Sequence, residues 1–202
     1  MKKKLSYKIP IGYRPSISEV EAYLRRWQSL DNYVNQEHAL DKLFLYTFTD
    51  NSDLDNILIK CSTLNDFYST NIFDIHSVAQ HIYKMNIDQR LKNGDLSLVN
   101  DIAHVKVGEN SSPRFFYSFA TKYCSHHQPL KYAIFDSYVE KVFVELKNRD
   151  KFSIFKRPQL KDYCTYMRVV KDFQQFYQLE QYNIKQLDQY LWQMGKDYFK
   201  KY

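Results

Sequence analysis

IAHVKVGENSSPRFFYSFATKYCSHHQPLKYAIFDSYVE, residues 102–140, carries more information per residue than any other part of this chain. It begins with the end of a short apolar stripe. Gly108 and the polar run Glu109-Asn110-Ser111-Ser112 follow, then Pro113, which suits a helix start because its missing N–H costs nothing there. Phe115, Phe116, Phe119, Ala120 and Tyr123 give that expected helix an apolar face, and Pro129 ends it. Tyr132, Ala133, Ile134 and Phe135 then form an apolar approach that delivers one acid, Asp136, to the start of a helix carrying Val139, Val142, Phe143 and Leu146. Between 102 and 132 the charges are Lys106, Arg114, Lys122 and Lys131 against Glu109 alone. A turn with open backbone N–H groups at a helix start, in a basic stretch, is a device for gripping phosphate.

Outward from this stretch the helical period recurs along nearly the whole chain. Ser16 and Glu19 make a capping box before Ile17, Val20, Leu24 and Trp27. Leu40, Leu43, Phe44 and Thr47 mark a second helix, and Leu54, Ile57, Leu58 and Cys61 a third. Ile72, Ile75, Val78, Ala79, Ile82 and Tyr83 form a fourth stripe, Asn93-Gly94 punctuates, and Leu96, Val99 and Ile102 follow. Leu160, Tyr163, Met167, Val170, Phe173 and Phe176 read as one long helix. Ile184, Leu187, Leu191, Met194 and Tyr198 read as the last, capped by Asn183. The expectation is a single all-α domain over 1–202 of about eight to ten helices. Two helical lobes, about 50–100 with 185–202 and 101–180, would enclose a central cleft.

Composition agrees with that class. Of 202 residues 44% are hydrophobic, and 18 Tyr and 14 Phe join Trp27 and Trp192, which argues against disorder. Four glycines are too few for a Rossmann fingerprint, a P-loop or a turn-rich β-sandwich. The formal net charge of +6 is compatible with a phosphate-backbone partner, although Lys2, Lys3, Lys4, Lys196, Lys200 and Lys201 sit near the ends. Three well-separated cysteines, Cys61, Cys124 and Cys164, read as buried thiols in a reducing compartment. MKKKLSYKIPIGYRP lacks the apolar run of a signal peptide, and no apolar stretch is long enough to span a membrane, so a cytoplasmic location is expected.

Alternative chemistries find little support. Cys124, His126 and His127 suggest a metal, but adjacent helical residues point about 100° apart, and no second ligand pair follows. His76 and His81 do not share a helix face. No oxyanion-hole signature accompanies Cys124 and His104. Neither a metal nor a cofactor is expected. Asp136 by itself reads equally well as an N-cap.

SFATKYCSHHQPLKYAIFDSYV (118–139), with LNDFYSTNI (64–72) before it and LDQYLWQMGK (187–196) after it, resembles the helix-hairpin-helix DNA glycosylases, and among them the bacterial 8-oxoguanine glycosylase-like branch. The resemblance covers about residues 60–200. It implies a two-lobed all-α protein with a helix-hairpin-helix element and an active site between the lobes. Asp136 takes the place of the catalytic aspartate, and Val105 to Pro113, with Gly108 at the turn, the place of the DNA-gripping hairpin. Lys106, Gly108, Asn110, Ser111 and Arg114 are then candidate DNA contacts, joined by Asn65 and Tyr68 at the helix gap. Ser118, Phe67 and Trp192 become candidates for the base pocket. Counting back from Asp136 by the usual interval reaches Ser118 rather than a lysine, and Lys122 lies one helical turn later on the same face.

Two readings follow from that departure. The expected one is a monofunctional enzyme, Asp136 assisting water; in the other Lys122 has taken the lysine role. The implied activity is flipping and excision of a damaged or modified base, 8-oxoguanine being one candidate, from double-stranded DNA in the nucleoid, with repair as the context. Nothing in the sequence demands more than a monomer. The alternative from another class is a catalytically inactive DNA-binding or interaction protein on the same scaffold.

Overall fold

Short polar side chains start most of the helices. In the computed structural model, which describes residues 8–106 and 112–199, Ser16 accepts from the Glu19 amide at the head of α1 (Ile17–Trp27). Asp53 does the same for α3 (Leu54–Tyr68), Asp74 for α4 (Ile75–Met85) and Asp136 for α8 (Ser137–Asp150). Asp162 caps α9 (Tyr163–Tyr177), and Asn183 with Gln186 forms a reciprocal box on α10 (Ile184–Tyr198). Between these lie α2 (Asp31–Asp41), α5 (Asp88–Asn93), α6 (Ser97–Ala103) and α7 (Tyr117–His127). The fold is all-α, with one small two-stranded ladder.

Four local expectations are corrected. The helix expected from Pro113 starts at Tyr117, because Arg114–Phe115 is a strand, β2, paired antiparallel with β1 (His104–Val105). The Phe116 amide donates to the Ala103 carbonyl at 2.8 Å, and the Phe115 ring sits 4.5 Å from that of His104, so cross-strand contact outweighs the proline signal. The stripe at Leu40–Thr47 is the end of α2 continued by a π-helical turn, Lys42–Thr47. The long helix expected from Leu160 breaks at Asp162: Leu160 belongs to a 3-10 turn, Arg157–Lys161. Finally, Cys61 and Cys124 are buried but Cys164 is exposed.

α6 and α7 pack against each other beside the ladder. Val107, Gly108, Asn110 and Ser111 lie outside the described residues. α10 has α8 and α1 as its main partners, so Ile184–Tyr198 lies with Ser137–Asp150 and Ile17–Trp27. The α8–α10 contact needs Gly195, since a Cβ there would come within 2.6 Å of the Tyr138 side chain and 3.0 Å of its backbone.

The extended approach to Asp136 runs through the core, where backbone polar groups must find partners. The Tyr163 and Tyr166 hydroxyls donate to the Ala133 and Ile134 carbonyls at 2.8 and 2.7 Å. The Ser118 hydroxyl donates to the Phe135 carbonyl, and the Phe135 amide donates to Thr121 Oγ1, both at 3.1 Å. The Ile134 amide donates to Asp188 at 2.8 Å. Side chains of α7, α9 and α10 thereby fix where this strand-like segment ends.

Candidate functional site

That segment ends at a cleft of about 250 Å³ walled by α1, α2, the end of α3, α7, the start of α8 and α10. A cavity of about 150 Å³ accepts a benzene ring, so this one has room for a larger flat heterocycle. Its aromatic side is a cluster in which Trp192 meets Trp27 and Tyr33 edge-on, at 5.8 and 4.8 Å between ring centroids. Glu37 ties the polar edge together: it accepts from the Trp27 indole at 3.0 Å, from Gln189 at 3.1 Å, and pairs with Lys185 at 3.3 Å.

Facing the aromatics are the titratable groups. Lys122 Nζ donates to the Ser118 hydroxyl at 2.5 Å and to the Ser118 carbonyl at 3.3 Å, and it lies 5.0 Å from the centre of the Tyr68 ring. Burial pulls its amine down to about 8, while Asp136 and Asp188 pull the other way. Asp188 has the opposite fate: burial pushes its carboxyl well above the ordinary range, against the hydrogen bond from Ile134 and the charge of Lys122. Asp136 accepts from the Tyr138 amide at 2.7 Å, so its N-cap duty and its position at the cleft coexist. His126 pairs with the Tyr68 hydroxyl at 2.9 Å; burial brings its imidazole down to about 3 and so keeps it neutral.

A less protonated amine, a carboxyl whose burial favours its acid form, a second carboxylate and flat apolar walls in one cleft suit nucleophilic attack on an electrophilic carbon that carries an aromatic leaving group. Among the described residues no group of three His, Cys, Asp or Glu could hold a metal ion. No helix of the described residues is long and apolar enough to cross a membrane.

The HI_0787_N family model, described as an N-terminal domain, matches residues 19–131. An uncharacterized protein of Haemophilus influenzae is 44% identical over 173 residues, covering 85% of this chain and 78% of the relative. The chain belongs to the HI_0787_N family. No solved structure gives a significant match.

In this HI_0787_N member the matched segment supplies Trp27, Tyr33, Glu37, Tyr68, Lys122 and His126, while Asp136, Asp188 and Trp192 come from beyond it. Of the residues singled out in the sequence, Lys122, Asp136, Phe67, Tyr68 and Trp192 meet at the cleft. Ser118 does not line it and instead holds Lys122 from behind. Asn65 is a turn staple rather than a surface contact: its side chain bonds the Ile72 amide and carbonyl and the Thr70 hydroxyl. Lys106 and Arg114 are exposed where the hairpin leaves the helices. Gly108, Asn110 and Ser111 fall outside the described residues.

Asp188, Glu37, Gln189 and the Trp27–Tyr33 wall were not read from the sequence. Asp188 had a signal, because it stands inside the apolar stripe Ile184, Leu187, Leu191, where a charge needs a reason. The aromatic wall had none that local spacing could give.

Proposed function

We propose that this chain is a DNA glycosylase that extrudes a damaged or modified base into the cleft and breaks its N-glycosidic bond. The observation that carries the reading is the convergence of Lys122, Asp136 and Asp188 on one aromatic-walled cavity. Stacking surfaces suit an unstacked base, and the exposed Lys106 and Arg114 suit its phosphates. Phe73 is fully exposed on the turn after Tyr68, an apolar side chain free to fill the gap a flipped base leaves.

The chemistry follows from the groups present. Neutral Nζ of Lys122 attacks the sugar C1′; the new C–N bond forms as the glycosidic bond breaks, and that bond's electron pair leaves on the base. The Asp188 carboxyl gives the departing base its proton and then takes the surplus proton from Nζ. The Nζ lone pair next expels O4′, which takes that proton and leaves an iminium at C1′ that borohydride can reduce. Loss of a C2′ proton to Asp188 then expels the 3′-phosphate and nicks the strand. Asp136 faces the positive charge that develops on the sugar. The depressed amine favours Lys122 as nucleophile over activation of water alone.

A panel of duplexes bearing different lesions, assayed with and without alkali, tests this reading. Strand nicking without alkali on at least one lesion is the expected result. Asp136→Asn keeps the N-cap, since Asn caps helices as well as Asp does, yet should lose excision by at least about a hundredfold. Unchanged excision by that variant would remove Asp136 from the chemistry. No cleavage of any lesion, with binding retained, would favour a non-catalytic DNA-binding protein.

A further inference from the structure

Lys161 ends the 3-10 turn between α8 and α9 and is exposed. Its Nζ lies 4.0 Å from the centre of the Phe135 ring and 5.3 Å from that of Tyr117. Both rings are buried, and the Tyr117 hydroxyl donates to the Leu160 carbonyl at 2.9 Å, so the lysine sits on a fixed floor. Aromatic faces attract a cation but accept none of its three protons in an ordinary hydrogen bond. Among the described residues Lys161 Nζ has neither a hydrogen bond nor an ion pair. The carboxylates nearest in the fold and in the chain are committed elsewhere. Glu140 pairs with Arg157 at 2.8 Å, and Asp162 accepts from the Thr165 amide at 2.8 Å as the cap of α9. The position of this cation is also informative. Phe135 immediately precedes Asp136, and the charge of Lys161 reaches Lys122, whose amine it helps to lower after burial has done most. On its other side Tyr117 stacks on Phe115 of the ladder at 5.4 Å between centroids. Lys161 therefore stands between the hairpin and the acid of the cleft.

We infer that Lys161 anchors a phosphate flanking the extruded nucleotide and so holds the strand while its base occupies the cleft. A sugar facing Asp136 carries a phosphodiester on each side, and its anionic oxygens supply the acceptors that Lys161 lacks. The inference rests on the DNA reading above, but on its binding part alone and not on cleavage.

A duplex with a tetrahydrofuran residue in place of the damaged nucleotide tests the anchor whatever the lesion, because it offers the sugar and both phosphates with no base to cut. Binding is read by fluorescence anisotropy over a range of salt. Lys161→Met should weaken binding about tenfold, the loss of one charge-assisted contact, and make the log–log dependence of affinity on salt shallower by about 0.9. Lys161→Arg should keep the parent slope. A methylphosphonate, which removes the charge of one phosphate, is then placed on the 5′ or the 3′ side of the tetrahydrofuran. At one of the two it should weaken the unaltered chain about tenfold yet cost Lys161→Met nothing more, since the partner is already gone. Full additivity at both positions, or an unchanged salt slope in Lys161→Met, would overturn the anchor. If Lys161→Met does not fold, the unaltered chain still decides: no loss of affinity from either methylphosphonate overturns it. Failure of the glycosylase reading gives a different pattern, in which no lesion is cut but the methylphosphonate and Lys161→Met remain non-additive. Additivity with lesions still cut removes the anchor alone, and no binding of any duplex removes both.

Discussion

Among the described residues two lysines are buried, Lys60 on α3 and Lys122 on α7, and burial brings both amines down to about 8. Their surroundings differ in one respect that decides what each can do. Lys60 Nζ has four acceptors within 3.2 Å: the Phe48 and Asp50 carbonyls, Asn51 Oδ1 and His127 Nε2. An ammonium has three protons, so Lys60 is saturated and ties the 48–51 loop to α3 and α7. Lys122 finds hydrogen bonds only at Ser118, from the hydroxyl and the carbonyl of a single residue. The rest of its environment is the cleft and the face of Tyr68. Equal burial thus gives a staple in one place and an available amine in the other.

The adjacent histidines divide along the same line. Neighbouring residues on a helix point about 100° apart, so His127 serves Lys60 while His126 holds Tyr68 beneath Lys122. Phe44, in the π-helical turn, packs against both imidazoles, at 5.5 Å from His126 and 4.9 Å from His127. That turn therefore sits at the seam between the staple and the cleft.

The largest effect that separates the lysines is on chemistry. On the proposed mechanism, Lys122→Met should lower base excision by at least about a thousandfold and abolish borohydride trapping of protein on DNA, since it removes the attacking atom. Its stability should stay within about 1 kcal/mol of the parent, because an apolar side chain of similar volume removes the cost of burying charge. Retained trapping in that variant would place the nucleophile elsewhere.

Lys60→Met should do the reverse. It strands the two carbonyls and Asn51 Oδ1 without their donor, and a loss of about 3 kcal/mol in urea denaturation is expected. Asn51 also holds Asp88 and accepts from Tyr123 at 2.5 Å, so the damage reaches α5 and α7. Stability unchanged by Lys60→Met would show that the cage contributes little.

How much of this contrast could be read in the sequence depends on the range of the signal. Asn183 with the stripe from Ile184 to Tyr198 gave α10 outright, because capping and periodicity are local. Lys122 and Asp136 were visible for the same reason, within one short stretch. The strand at Arg114–Phe115 was hidden, since its cause is pairing with His104 and Val105 across the hairpin. Asn65 and Ser118 were read as DNA-facing or pocket residues, yet each is consumed by neighbours: Asn65 in its turn, Ser118 between Phe135 and Lys122. Trp27, Tyr33 and Glu37 could not be joined to Trp192 and Gln189 by any spacing rule, because only tertiary packing brings the first helices onto α10. No pattern in the sequence distinguishes a saturated lysine from an open one.

A pH profile sharpens the contrast at intermediate size. On the proposed mechanism the amine is active when neutral, so excision under single-turnover conditions should rise by up to about tenfold per pH unit on the acid side and bend near pH 8, the value burial sets for Lys122. An ordinary lysine would keep rising to about pH 10. A profile that is flat from pH 6 to 9 would separate the rate from the protonation of Lys122.

The smallest effect is the most specific to Lys122. Ser118 accepts from Nζ at 2.5 Å while its own hydroxyl proton goes to the Phe135 carbonyl, so its lone pair is directed at the ammonium. That contact stabilises the charged form and works against the burial that lowers the pKa. Ser118→Ala removes the hydroxyl but leaves the Ser118 backbone carbonyl as an acceptor at 3.3 Å. The ammonium then loses one charge-assisted bond, and the acid limb of the profile should move down by about one pH unit. The direction matters more than the size, because a merely structural role for Ser118 would lower the rate at every pH without moving the limb. The equivalent truncation around Lys60 has no limb to move, so a shift confined to Ser118→Ala would establish that open coordination, rather than burial, distinguishes the reactive lysine.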